Sequence, residues 1–164
     1  DMFNYFRNND FNKQIAVSDY KGEITLYTHH DRSAVQTVNK ENAGQMEVDG
    51  LKKIKVRCDT LNSIIEGSKF KDKKIDLLSI DIEGHEFNAL KSFDFEKYAP
   101  KVVIIEYNDP ELISIEFHYQ KLENIMKSEI YKLMYKKNYK FVNWHHSDLV
   151  FVSNSVYQKR KVHI

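Results

Sequence analysis

The 164-residue chain is poor in several residue types that often carry a recognisable function, with one cysteine, two prolines and five glycines. A single cysteine, Cys58, excludes an internal disulfide. Its place in the alternating stretch IKVRCDT favours a small buried hydrophobe over a reactive thiol. None of the glycines forms a G-x-G-x-x-G or P-loop pattern, so no glycine-rich phosphate cradle is present in the sequence.

The chain also lacks a large excess of charge of either sign, because its 25 basic and 24 acidic side chains leave a formal net charge of +1. This balance gives no case for nucleic acid or an anionic membrane as a partner. The lysines of residues 69–74 alternate with other residues and read as a solvated loop. No segment approaches the roughly 18 consecutive apolar residues of a membrane span. We therefore expect neither a nucleic-acid nor a membrane partner, and the single cysteine fits a reducing, cytoplasmic location.

The length suits one domain covering residues 1–164. Its first half predicts short strands around residues 15–17 and 24–28, joined by a turn, and another strand in LKKIKVRC. The polar segment 29–50 predicts a long loop. A helix should follow in DTLNSIIEG, with Asp59 as its N-cap and Gly67 at its C-terminal end.

The second half alternates strands and helices. KIDLLSIDI and PKVVIIEYND are near-continuous apolar strands, a pattern typical of strands buried on both faces of a parallel sheet. Helices are predicted in EGHEFNALKSF and over residues 115–137, and YKFVNW and DLVFVSN form a closing antiparallel hairpin before a frayed basic tail. We predict an α/β, doubly wound, mostly parallel sheet with a C-terminal antiparallel hairpin.

Ligands bind beyond the carboxyl ends of the strands in such sheets, which directs attention to Asp81 and Glu106. Each follows an apolar strand, and burial would raise the pKa of a carboxyl group there. Such a group suits a general base, a metal ligand or an acceptor for a cofactor amine, or else simply caps the next element. A divalent cation could lie between Asp81 and Glu106, but two carboxylates are too few to claim one. His29-His30 and His145-His146 lack zinc-type spacing, so no metal site is assigned.

The residues that follow Asp81 are more ambiguous. His85 is either a base or a solvated residue at a helix start. Glu83 and Glu86 read first as acids in the first helical turn, where the helix dipole favours negative charge. Gly84 permits a tight strand-to-helix turn or a close approach of backbone to a ligand.

These segments resemble the FkbM-type methyltransferases, whose central signature is approximately I-D-x-[LI]-K-[IL]-D-[VI]-E-G-x-E-x-x-[VA]-L. The matching positions are Ile75, Asp76, Leu78, Ile80, Asp81, Ile82, Glu83, Gly84, Glu86, Ala89 and Leu90, whereas Ser79 replaces the usual Lys. IAVSDYKGEITLY, VRCDTLNSII and DLVFVS resemble further segments of the family in the same order.

The resemblance implies a class I fold and an enzyme that uses S-adenosylmethionine (SAM) to methylate a hydroxyl oxygen of a small molecule or glycan. It places Asp81 near the transferred methyl group and Ser18 and Asp19 near the adenine. Asp81, Glu106 and His85 are the candidate catalytic residues. Ser18, Asp19 and Asp81 are the candidate cofactor-binding residues.

The family's glycine-rich loop and ribose-binding acid, which precede the segment resembling the start of this chain, do not occur in it. The chain also begins at Asp1 rather than Met, and we expect it to be an N-terminally truncated domain with an incomplete sheet. We expect these 164 residues alone to bind SAM more weakly than micromolar. The alternative is a non-catalytic glycan- or protein-binding module derived from the same fold.

Overall fold

The protein is described here by a computed structural model that covers residues 2–28, 36–38, 52–108 and 121–160. Its strands are β1 (Ala16–Val17), β2 (Gly22–Thr28), β3 (Gln36–Thr37), β4 (Lys52–Asp59), β5 (Leu77–Ile80), β6 (Val102–Glu106), β7 (Tyr139–His145) and β8 (Asp148–Ser153). Its helices are α1 (Met2–Phe6), α2 (Leu61–Glu66), α3 (Glu86–Lys91), α4 (Phe95–Tyr98), α5 (Leu122–Lys127), α6 (Glu129–Lys136) and α7 (Asn154–Arg160). Most of the predicted 29–50 loop, with His29 and His30, lies outside the described residues.

The described strands form two 4-stranded sheets, in the orders β1-β4-β2-β3 and β5-β6-β8-β7. The prediction of a mostly parallel sheet is wrong, because only the β1–β4 and β5–β6 pairings of the described strands are parallel. The remaining pairings are antiparallel, including the long register between β2 and β4 and the predicted C-terminal hairpin, which is confirmed. The fold is α/β with mixed sheets.

Strand β5 lies at a sheet edge, and one of its faces is more exposed than expected. Leu77 is 54% exposed, Ser79 is also exposed, and Ile80 is buried at 6% exposure. The prediction that this apolar run is covered on both faces is therefore wrong for the face that carries Leu77 and Ser79. In the described part of the chain β5 pairs with β6 alone, so one side of its backbone has no strand neighbour.

Three helix predictions need correction. The N-cap of α2 is Thr60, whose hydroxyl accepts from the Ser63 N–H, while Asp59 accepts from the Thr60 N–H at 2.9 Å and from the Ser63 hydroxyl at 3.0 Å. The predicted helix over residues 115–137 is two helices where it is described, because extended backbone at Ser128 ends α5 and caps α6. The predicted frayed tail is helical as far as residue 160.

The hydrophobic core lies around the second sheet. Its buried members come from β5, β6, β8, the start of β7 and the helices between them. They are Ile80, Leu90, Phe93, Phe95, Tyr98, Val103, Ile105, Ile125, Ile130, Met134, Tyr139, Leu149 and Phe151. Full burial of a large apolar side chain contributes about 1.5–3 kcal/mol, so these residues fix the positions of β5 and β6 and hence of the strand ends. Cys58 is buried at 2% exposure, as predicted.

Helix length and composition bear on the membrane prediction. Across the described ranges, no helix combines the length and apolar character needed to cross a bilayer.

Candidate functional site

A short turn joins the carboxyl end of β5 to α3, and its backbone is unusual. Glu83 and Gly84 both have positive φ, at 57° and 93°. A positive φ is uncommon for a residue with a side chain, whereas glycine adopts it without a Cβ clash. The predicted tight turn at Gly84 is therefore confirmed. Glu83 belongs to this turn, so its predicted place in the first turn of the helix is wrong.

The carboxylate of Glu86 holds this turn in place. It begins α3, as predicted for an acid of the first helical turn, but its side chain is buried at 5% exposure. Its Oε1 accepts hydrogen bonds from the backbone N–H groups of Ile82 and Gly84, each at 3.0 Å. A buried carboxylate satisfied in this way orders the backbone around it. Glu86 thus fixes the path of the chain immediately after Asp81.

Asp81 and Glu106 lie together at the edge where β5 and β6 end. The two strands are parallel and pair Ile80 with Ile105, so the residue after each pair member lies at the same edge. Asp81, which was expected to be partly desolvated, is exposed. The desolvated acid is Glu106, whose pKa is raised to about 7 by burial first and then by the charges of Asp81, Glu83 and Glu86 and a hydrogen bond with Asp81.

Glu106 also carries an unsatisfied polar atom. Its Oε2 is buried and has no hydrogen-bond partner, which is true of no other buried side-chain oxygen or nitrogen in the described part of the chain. Buried polar atoms are nearly always paired, so an orphaned carboxylate oxygen indicates a missing donor or a strained acid. Glu106 therefore provides an acceptor that none of the described residues uses.

The remaining candidate residues form a second cluster. Ser18, which is fully buried, lies with its Oγ 3.0 Å from His85 Nε2 and 3.2 Å from Asp19 Oδ1. Asp19 pairs with Lys91 Nζ at 2.6 Å, and that hydrogen bond lowers the pKa of the Asp19 carboxyl. The pKa of His85 is lowered by burial, and further by the charge of Lys91, against the opposing charge of Asp19. The structure thus brings His85 together with both residues predicted near the adenine.

Two residues that contact the site were not predicted from the sequence. Thr37 Oγ1 donates to the Glu83 carbonyl oxygen at 2.5 Å, from a segment whose sequence shows only polarity. Asn88 Nδ2 lies 3.5 Å from Nδ1 and 3.4 Å from Nε2 of His85. Asn88 could have been found, because residues three apart on a helical start face the same side.

In the described residues no group of three or more histidine, cysteine, aspartate or glutamate side chains could hold a metal ion. What the site offers instead is a half-buried carboxyl group with a raised pKa, a second carboxylate beside it and, in the adjoining cluster, a half-buried imidazole. Such groups bind and deprotonate polar ligands at the strand ends of an α/β protein.

An α/β protein with an acidic site at the carboxyl ends of parallel strands is the class that the fold and the site define. A family description, the methyltransferase FkbM domain, matches residues 2–141. The chain belongs to the FkbM methyltransferase family, which confirms the resemblance. Searches of curated proteins and of solved structures gave no significant match.

Proposed function

We propose that this domain transfers a methyl group from SAM to a hydroxyl oxygen of a small molecule or glycan. The family membership supports methyl transfer. The observation that supports a hydroxyl acceptor is Glu106, which has a pKa of about 7 and a buried oxygen without a donor. A general base works best when its pKa lies near the working pH, and a hydroxyl group would supply the missing donor.

The charge of the site fits one end of SAM. The cofactor carries a sulfonium and an ammonium cation, and Glu106 and Asp81 place negative charge with a free acceptor oxygen at the strand ends. The side chains of Ser18 and Asp19 already contact His85 and Lys91. In this proposal the adenine therefore lies beside the end of β1, which these two residues follow. Bound SAM would supply an electrophilic methyl group.

The chain's own residues then have distinct roles. Glu106, once ionised, accepts the hydroxyl proton at Oε2, and Asp81 orients the same hydroxyl from the solvent side. His85 lies in the adjoining cluster and is the third candidate for contact with the acceptor. Because Glu106 must be ionised to act as a base, turnover should rise with pH up to about 7 and then level off.

Binding can be tested apart from turnover by titrating the 15N-labelled full chain with SAM to several millimolar, a range that also detects weak binding. We expect the amide signals of residues 81–84 and 106 to move. They should move less with S-adenosylhomocysteine, which lacks the sulfonium charge. Asp81→Asn should reduce the shifts. Asp76→Asn, an exposed aspartate paired with Lys101 near the start of β5, is the matched control.

Turnover is tested with methyl-labelled SAM and a panel of monosaccharides, oligosaccharides and simple alcohols. Label transfer that is lost in Glu106→Gln would support the proposal. A titration that leaves residues 81–84 and 106 unmoved would contradict it. The second candidate is the non-catalytic module, which is favoured by the fact that the side chains of Ser18 and Asp19 already bond other residues of the protein. Such a module would bind a glycan at residues 81–84 and 106 and would show no response to SAM.

A further inference from the structure

The cluster around His85 forms a hydrogen-bond chain whose direction can be worked out. Lys91 donates to Asp19 Oδ2 at 2.6 Å, which keeps Asp19 ionised. The Ser18 hydroxyl has one proton, and its two neighbours are Asp19 Oδ1 at 3.2 Å and His85 Nε2 at 3.0 Å. A hydrogen bond to an ionised carboxylate is roughly twice as strong as one to a neutral acceptor, so the proton belongs on the Asp19 side.

This direction decides the form of the imidazole. With its proton given to Asp19, the Ser18 oxygen can only accept from His85, so Nε2 must carry a hydrogen. A neutral imidazole has one N–H, which leaves Nδ1 as the acceptor nitrogen. Asn88 does not discriminate between the nitrogens, because its amide is almost equally far from both.

Burial, and not the charges that face the ring, favours a neutral imidazole. From the segment after β1 comes Asp19, whose charge raises the pKa of His85, and from α3 comes Lys91, whose charge lowers it. Burial has the largest effect and lowers the pKa. A pKa below the ordinary value of about 6.5 favours the neutral form of this half-buried ring at neutral pH.

We infer that Ser18 and Asp19 are positioning residues whose side chains hold His85 in its neutral Nε2–H tautomer, with Nδ1 as the hydrogen-bond acceptor of the ring. The contact also joins the two sheets, since Ser18 follows β1 of the first sheet and His85 caps α3 beyond β5 of the second. Thr37 makes a second such contact through the Glu83 carbonyl. Both contacts hold the turn that follows Asp81.

One consequence rests on the proposed function. His85 Nδ1 can accept a hydrogen bond from the hydroxyl group of the substrate that receives the methyl group, but it cannot donate one. The positioning itself needs neither cofactor nor acceptor, so it is tested on the full chain alone. Failure of that test would leave the roles of Glu106 and Asp81 standing.

The test is a two-bond 1H–15N correlation spectrum of the histidine rings, with the His85 signals identified by their loss in His85→Asn. At pH 7 we expect Nε2 at the position of a protonated nitrogen and Nδ1 at that of an unprotonated one. Ser18→Ala should give averaged positions for the two nitrogens, and Ser18→Thr, which keeps the hydroxyl, should restore the wild-type pattern.

The matched control is Ser63→Ala. Ser63 donates its hydroxyl to Asp59 Oδ2 at 3.0 Å, as Ser18 does to Asp19, but that bond lies at the start of α2. It should leave the His85 signals unchanged. In a pH titration, Asp19→Asn should lower the midpoint of His85 and Lys91→Met should raise it.

The wild-type spectrum decides the tautomer even if a variant fails to fold. An Nδ1–H pattern or a doubly protonated ring at pH 7 would overturn the inference. So would a folded Ser18→Ala variant whose His85 signals match those of the wild type.

Discussion

Glu106 should make the stability of this protein depend on pH in a direction opposite to that of most acids. Its ordinary pKa of 4.5 is raised to about 7 in the folded state, so between these values the folded protein holds a proton that the unfolded chain has lost. Stability from this group is therefore fully present below pH 4.5 and is lost as pH rises towards 7.

The size of the effect follows from the shift. Roughly two and a half pKa units at about 1.4 kcal/mol per unit give a penalty of about 3 kcal/mol at pH 8 and under about 1 kcal/mol at pH 5. Glu106→Gln replaces the titrating acid with a neutral group of the same shape, which can donate to Asp81 as the protonated acid does. From pH 5 to pH 8, the free energy of unfolding of the variant should therefore rise by about 2 kcal/mol relative to that of the wild type.

Urea denaturation of both proteins at the two pH values measures this difference. Any constant effect of the amide cancels, because only the change between the pH values is compared. Glu23→Gln, an exposed glutamate on β2, is the control and should show almost no change. If Glu106→Gln gains nothing at pH 8, or loses stability there relative to pH 5, the raised pKa and the base that depends on it are both refuted.

Three further tests concern the same strand ends. Asp81→Asn should lower the pKa of Glu106, because it removes the neighbouring charge with the largest effect on that pKa. A 13C titration of the Glu106 carboxyl carbon would measure the change. Glu86→Ala should destabilise the fold by about 1–3 kcal/mol in urea, since it leaves two turn N–H groups unpaired, while Glu86→Gln should cost less. Gly84→Ala should lower the free energy of unfolding by about 1 kcal/mol or more because of its φ of 93°. Gly67→Ala, at a φ of −76° with room for a Cβ, should lower it less, and equal losses would contradict the turn assignment.

Local patterns in the sequence predicted the parts of the site that depend on neighbouring residues. The apolar runs before Asp81 and Glu106 are nearly continuous, so the two strands and their common end could be recognised. The hairpin of β7 and β8 was equally readable, because its short connection permits only an antiparallel pair. The break at Ser128 also had a signal, since serine followed by glutamate is a common helix start.

Features that depend on distant contacts could not be predicted. The antiparallel register of β2 with β4 pairs Gly22 with Cys58, and nothing in either segment specifies the other. The same limit applies to His85, whose ring is oriented by Ser18 from a separate sheet. Exposure follows the same rule: the apolar run predicts that Leu77 is buried, but whether its face of the sheet is covered depends on distant elements, and Leu77 is exposed.

Exposure is also what separates the roles of the two strand-end acids. Asp81 and Glu106 occupy equivalent places on neighbouring strands, and the sequence ranked Asp81 first because its motif is the more specific. In the structure Asp81 is open to water, while Glu106 is half-buried with a pKa near the physiological range. A proton acceptor needs that raised pKa, and Asp81 helps to create it by its charge. The two acids are therefore coupled, and removing the Asp81 carboxylate should change the titration of Glu106.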